Sequence, residues 1–474
     1  MNLSLNAAAK SVAIVFATLL SWSIYTPHAA RAEIKIKKES PKVERYDRVS
    51  FMRGPHVMKY FDRHEKTFRH GAAIHVAHGK AHDLAQRTPL DQREKADQKF
   101  DREMVDLLLN KAPKTEVEMR TYGPYVSQFA WDLYRTIDWT HVHHDQTYSI
   151  LSEPSIPWNK KREWTDKAVR HYLEKFDLPR SPAPLDVTMR RAGTMMKPYF
   201  GYFRTHYPQS NSYFYVAHWW HPAIYEAQMI GGNDQEQEKA IQQAEANLPL
   251  ALSMRPQRML LSREIMPRYS ALSPESANIF DNLHMLHGIA YDILTYPHWT
   301  PAQKKTELDR VIRAMSYQPG DEKLARKFRT PRHDMDPRRY EPWMISVEGE
   351  MNRIMVEMMN EMMPHIMPKA TRKMKKDAMA QLWQKLTPGL QDGEPPGSFH
   401  DALLKISPRM VMMSGTMEPG ESNPIMMQTM MKGWTEKYAM LPELPRMAMT
   451  REPSLKSLQM AGMVNTSESK EAQK

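Results

Sequence analysis

The sequence predicts an all-α protein: a tandemly duplicated helical bundle, pseudo-twofold, with a histidine-rich interior and a Met-rich helical and irregular C-terminal extension. Three observations predict it. Strand-like alternation is scarce along the 474 residues, whereas stretches such as 91–110 and 233–252 are rich in Glu, Gln, Lys, Ala and Leu and read as amphipathic helices. Proline-rich breaks such as 153–157 separate these stretches, because proline lacks a donor and clashes with the preceding helical turn. Four His-x-x-His pairs, His75/His78, His141/His144, His218/His221 and His284/His287, recur at one offset: 218 − 75 = 143 and 284 − 141 = 143.

The same offset aligns more than histidine. The run Asp138, His141, His144, Tyr148, Ile150, Leu151 lies without a gap over Asp281, His284, His287, Tyr291, Ile293, Leu294. Pro55, Pro113, Arg120, Pro124, Ser127, Lys161 and Arg170 likewise fall on Pro198, Pro256, Arg263, Pro267, Ser270, Lys304 and Arg313. Fixed-period self-similarity marks a repeated supersecondary unit. The units cover residues 51–177 and 194–320 and are expected to superpose.

Read in order, residues 1–32 resemble a secretory signal. Lys10 precedes an apolar run from Val12 to Tyr25 that is too short to span a bilayer comfortably, and Ala30-Arg31-Ala32 offers a small-x-small cleavage site. Residues 33–177 form the first helical repeat, with a charged lead-in up to residue 50. Residues 178–193, with Pro179, Pro182 and Pro184, suit a linker, and 194–320 form the second repeat. Residues 321–343 make a basic linker, and 344–474 a Met-rich region whose first part, Met344 to Met367, has helical character. A periplasmic or secreted protein is expected, with no span left after signal cleavage.

Composition narrows the chemistry. The chain has no cysteine, which rules out covalent c-type haem attachment, thiolate metal sites and cysteine nucleophiles. Its net charge of +11 is spread along the chain. No nucleic-acid motif, phosphate-binding glycine loop or nucleophile elbow is present, so nucleic-acid binding, kinase and serine-hydrolase chemistry have no support.

The candidate site follows from helical geometry. Residues i and i+3 lie about 60° apart on one helix face. Four such helices facing one another would gather His75, His78, His141, His144, His218, His221, His284 and His287 in one interior, joined by Asp138 and Asp281. Ligands at i and i+3 are how di-iron bundle proteins build their sites, there with Glu-x-x-His. The Asp-x-x-His steps resemble that design principle, and a His-rich site is similar in kind to hemerythrin-type iron or histidine-bound copper. The expected cofactor is a transition metal, Fe or Cu with Zn as an alternative. Non-covalent haem, ligated axially by facing histidines, is a further reading. Asp138 and Asp281 can instead orient His141 and His284, and Tyr148, Tyr225 and Tyr291 are candidate ligands or hydrogen-bond donors to them. In the tail, Met410, Met412, Met413, Met426, Met427 and Met430 offer thioethers suited to Cu(I), although Met-rich segments also serve as docking faces for a protein partner. The functions in view are a metal-dependent oxidoreductase, a copper or iron storage or delivery protein, and a helical scaffold.

Overall fold

A computed structural model describes residues 51–52, 58–116, 118–197, 199–230, 233–326 and the single positions 347, 350, 351, 354 and 373. The expected signal segment, 1–32, and the tail methionines lie outside the described residues.

The described residues are helical with no strand; one isolated bridge joins Arg180 to Ser316. The helices are α1 (Lys59–Arg63), α2 (Glu65–Arg87), α3 (Arg93–Asn110), α4 (Pro124–Phe129), α5 (Trp131–Ser152), α6 (Trp158–Glu174), α7 (Leu185–Ala192), α8 (Tyr202–His206), α9 (Pro208–Met229), α10 (Asp234–Met254), α11 (Ser262–Ile265), α12 (Pro267–Leu272), α13 (Pro274–Thr295) and α14 (Pro301–Ala314). None is long and apolar enough to cross a membrane.

Local chemistry places the helix starts. Pro124, Pro208, Pro267, Pro274 and Pro301 occupy the first turn of their helices, where the missing N–H has no partner to lose and the fixed φ suits the helix. Thr300 and Gln303 form a reciprocal capping box at α14. Asn233 and Ser273 accept from Glu236 N–H and Ser276 N–H at the starts of α10 and α13.

Helix limits recur at the offset read in the sequence. α1 and α8, α4 and α12, and α5 and α13 are separated by 143 residues at both ends, and α2 and α9 by 143 at their starts. Hydrogen bonds recur with them. Asp83 accepts from the Tyr125 and Val126 amides as Glu226 does from those of Arg268 and Tyr269. Lys161 and Lys304 donate to the carbonyls of Leu151 and Leu294. Two bonds cross between the halves. Tyr148 Oη donates to the His221 carbonyl at 3.1 Å, and Tyr291 Oη to the His78 carbonyl at 3.4 Å.

The long helices α2, α5, α9 and α13 bear the histidine pairs. α2 packs on α9 and α13, and α5 packs on the same two. The four therefore close a ring in which each helix meets two from the other half. On the outside of α5, Trp139, Val142, Val169, Tyr172 and Ile279 form an apolar cluster that seats α6 and α13.

The proline-rich stretch 178–193 is built into the body. All eight residues of α7 are buried. The Asn282 side-chain amide donates to the carbonyls of Ser181 and Ala183, and Arg191 pairs with Asp321 at 2.6 and 2.9 Å. Prolines stop helices here, as expected, but the chain between them satisfies its backbone from α13. Beyond residue 326, Val347, Glu350, Met351 and Ile354 are helical and buried, at the spacing of one helix face.

Candidate metal centre

The helix ring brings the four histidine pairs into one interior. These eight residues, and His82 one turn further along α2, are 0–6% exposed. The rings form a continuous cluster. His75 stacks on His141 with centroids 3.6 Å apart and planes 11° apart, and lies 5.1 Å from His221. His221 is 5.8 Å from His144 and 6.1 Å from His284. His284 is 4.6 Å from His218. His287 closes the cluster at 4.7 Å from His78 and 5.2 Å from His82. Phe214 and Phe280 meet these rings edge-on or tilted, and Tyr148, Tyr225 and Tyr291 wall the ends.

Burial fixes the protonation state. A charged imidazole costs much to bury, so His78, His141, His144, His221, His284 and His287 are held well below their usual pKa, with neighbouring histidines adding to the effect. His82 and His218 are driven down to about 3. The interior is thus lined by neutral imidazoles, the form that ligates metals.

Many of their nitrogens lack a protein partner. Both ring nitrogens of His78, His82, His221 and His287 are buried without a hydrogen bond, as are His75 Nε2, His144 Nε2 and His218 Nδ1. A buried polar atom left unpaired costs about 1–3 kcal/mol, so so dense a group is more than packing requires.

One place in the cluster differs electrostatically. Glu116, in the loop after α3, reaches His75 Nδ1 at 2.5 Å. Burial works to lower the His75 pKa, but the Glu116 charge and hydrogen bond, helped by Asp145, outweigh it and raise it. His75, Glu116 and His141 each offer a donor atom, and these atoms lie within 4.8 Å of one another. Two imidazoles and a carboxylate facing one point favour a bound cation, whether a proton on His75 or a metal ion. This donor set suits Fe(II) and Zn(II).

The two aspartates do other work. Asp138 Oδ1 accepts from the Met119 amide at 3.2 Å and stands 3.9 Å from His141 Nδ1. Asp281 Oδ1 accepts from the Ser262 amide at 2.9 Å and its hydroxyl at 2.5 Å, and stands 3.9 Å from His218 Nε2. Each pins the short helical turn preceding the next element, beside a histidine rather than bonded to it. Burial raises Asp138 to about 8 and Asp281 to about 6. Of the tyrosines, Tyr225 reaches a ligand candidate directly, with its hydroxyl 2.9 Å from His144 Nδ1. Tyr148 and Tyr291 bond instead to backbone carbonyls of histidine-bearing turns.

Sequence reasoning missed one participant and left another outside the candidate site. Glu116 sits in a loop, and the residue 143 positions on is Met259, so the repeat gave no sign of it. His82 is legible in the sequence as sharing the helix face of His75 and His78, but its counterpart is Tyr225, so it fell outside the repeated pairs. Comparison with protein-family models, curated proteins and solved structures found no match.

Proposed function

We propose that this chain is a metal-binding helical protein that holds a redox-active transition ion, iron or copper, with His75, Glu116 and His141 as the principal donors. The carrying observation is the convergence of those three donors inside a cluster of neutral, largely unpartnered imidazoles. The aromatic enclosure and the burial of the histidine rings, beside a Glu116 side chain only 20% exposed, support an oxidoreductase, whose ion is largely shielded from water, over an exposed carrier. The recurring helix limits and crossed tyrosine bonds support reading the chain as a duplicated bundle with pseudo-twofold symmetry. Export, read from residues 1–32, belongs to the same proposal; fractionating cells that express the full chain tests it.

Metal analysis of the purified full chain tests the site. The double variant His75→Ala/His141→Ala should lose the bound ion while circular dichroism remains helical. Glu116→Gln, which keeps the shape, should weaken binding by about 10–100-fold. Full metal content in both variants would remove the assignment. The surplus of imidazoles over what one ion needs favours a second reading, storage of several ions. A metal-to-chain ratio above two supports storage. Deleting residues 410–474 separates bundle from tail, since a bundle site keeps its metal and a thioether carrier loses it.

A further inference from the structure

The two ends of the imidazole interior differ. In each pair of repeat-related histidines the more exposed member stands at the Glu116 end. His75, His141, His221 and His144 are 6, 6, 4 and 3% exposed, against 1, 2, 2 and 0% for His218, His284, His78 and His287. Three positions account for the difference: Gly71, Glu116 and Asp145. Their counterparts, 143 residues on, are Phe214, Met259 and Gly288.

The second-half trio closes its end. Phe214, Met259 and Gly288 line one cavity of about 40 Å³, room for a few water molecules. The Phe214 ring lies 5.4 Å from that of His78 and 6.2 Å from those of His284 and His287. A Cβ added to Gly288 would stand 3.9 Å from it. The ring therefore plugs the interior one turn before His218. The charged groups lining that cavity, Arg204 and Asp292, are of opposite sign, and Asp292 accepts from the Gly201 and Phe203 amides.

The first-half trio inverts this arrangement. Gly71 precedes His75 on one face of α2, as Phe214 precedes His218 on α9. A Cβ added to Gly71 would meet His221 Nε2 at 3.8 Å, and no other described residue outside its own turn comes within 4 Å. Where one end sets an aromatic ring against His78, the other sets a part-exposed backbone position against His221. His221 is buried, and neither of its ring nitrogens has a hydrogen-bond partner. Carboxylates flank this place. Asp145, part-exposed, occupies the position that Gly288 holds beside Phe214, and Glu116 reaches His75 Nδ1 at 2.5 Å. The charges of both act on His75 and on Tyr60. Two carboxylates at the opening of a low-dielectric interior concentrate cations there.

We propose that Gly71, Asp145 and Glu116 form a cation entrance, through which a divalent ion passes from solvent to His75, His141 and His221, while Phe214 seals the opposite end. This rests on reading the chain as a metal-binding bundle.

The test has two arms. In the first, the metal-free full chain is treated with diethyl pyrocarbonate, which acylates neutral imidazole nitrogen, and modified histidines are mapped by peptide mass spectrometry. His221 and His78 make a matched pair, since both nitrogens of each lack a hydrogen bond. His221 should react several-fold faster, and Gly71→Leu should bring it down to the rate of His78. Equal rates in the wild-type chain would overturn the entrance whether or not a metal binds. In the second arm, Co(II) uptake by the metal-free chain is followed in stopped flow by its visible absorption. Asp145→Asn, which keeps the shape, should slow uptake by about three- to tenfold at low salt and flatten its decline with ionic strength. Gly71→Leu should slow uptake as well, and both variants should fill completely at saturating Co(II). Wild-type rates in both would overturn the entrance and leave the centre standing. Incomplete filling of Asp145→Asn would make Asp145 a ligand and overturn its role at the entrance. Failure of the wild-type chain to take up Co(II) would overturn centre and entrance together.

Discussion

Replacing Asp138 by Asn should stabilise the metal-free protein, and more so as pH rises. The carboxyl is raised from 3.8 to about 8 because burial outweighs its bond from the Met119 amide. Between those values the folded state keeps a proton that the unfolded chain has released, so stability falls with increasing pH across the window. Asparagine can still accept from Met119 and has no proton to lose. Its advantage can grow by at most about 1.4 kcal/mol per pH unit, the worth of one pKa unit. The Asp138 side chain is 19% exposed. Partial hydration of the carboxylate pulls the folded-state pKa down and so shortens to roughly half the pH range over which that slope applies, so the gain between pH 5 and pH 8 should be about 2 kcal/mol. Urea unfolding of both proteins at the two pH values, with chelator present, measures it. A substitution that destabilises equally at pH 5 and pH 8 would refute this reasoning, because it would mean that Asp138 is ionised and well paired in the fold. Asp281, raised only to about 6 and held by the Ser262 hydroxyl and amide with the Arg263 charge nearby, should show a smaller effect confined to lower pH.

The metal-free chain should lose stability as pH falls below 6.5. His82, His143 and His218 are lowered to about 3, so the unfolded chain binds protons there that the fold refuses; melting temperatures from pH 7 down to pH 4 should drop, and a flat profile would contradict neutral buried imidazoles. Tyr148→Phe and Tyr291→Phe should cost similar amounts, about 0.5–1.5 kcal/mol each in denaturant titrations, since each removes one crossed bond to a buried carbonyl. Gly79→Ala should destabilise by about 1–3 kcal/mol despite the better helix former, because the new Cβ would meet Met119 Cγ at 3.0 Å and its carbonyl at 3.1 Å; a more stable variant would show that this turn gives way freely.

How much of this was legible in the sequence depends on the range of the signal. The histidine spacing marked helix faces, and the face of α2, α5, α9 and α13 that carries the pairs is buried. Spacing along one helix is local, and so it is written in the sequence. The roles of Asp138 and Asp281 were not legible, because their partners, Met119 and Ser262, lie 19 residues back on segments with no periodic signal. The burial of α7 was hidden for the same reason. Its flanking prolines speak only of where helices stop, while the groups that receive it, Asn282 and Asp321, are distant in the chain. Glu116 was invisible because a loop carboxylate carries no period and its counterpart is methionine.

The helix ring has a kinetic consequence. His78 and His287 pack together although 287 − 78 = 209 residues separate them, so the interior is complete only when α13 docks. Contacts of such long sequence separation form slowly. His284 and His287 ride on α13, but His75 on α2, His141 on α5 and the Glu116 loop, whose side chain is 20% exposed, do not. Loosening of α13 should therefore open the His284–His287 end of the cluster while leaving the His75–Glu116 contact in place, and amide exchange in α13 measures how often that happens.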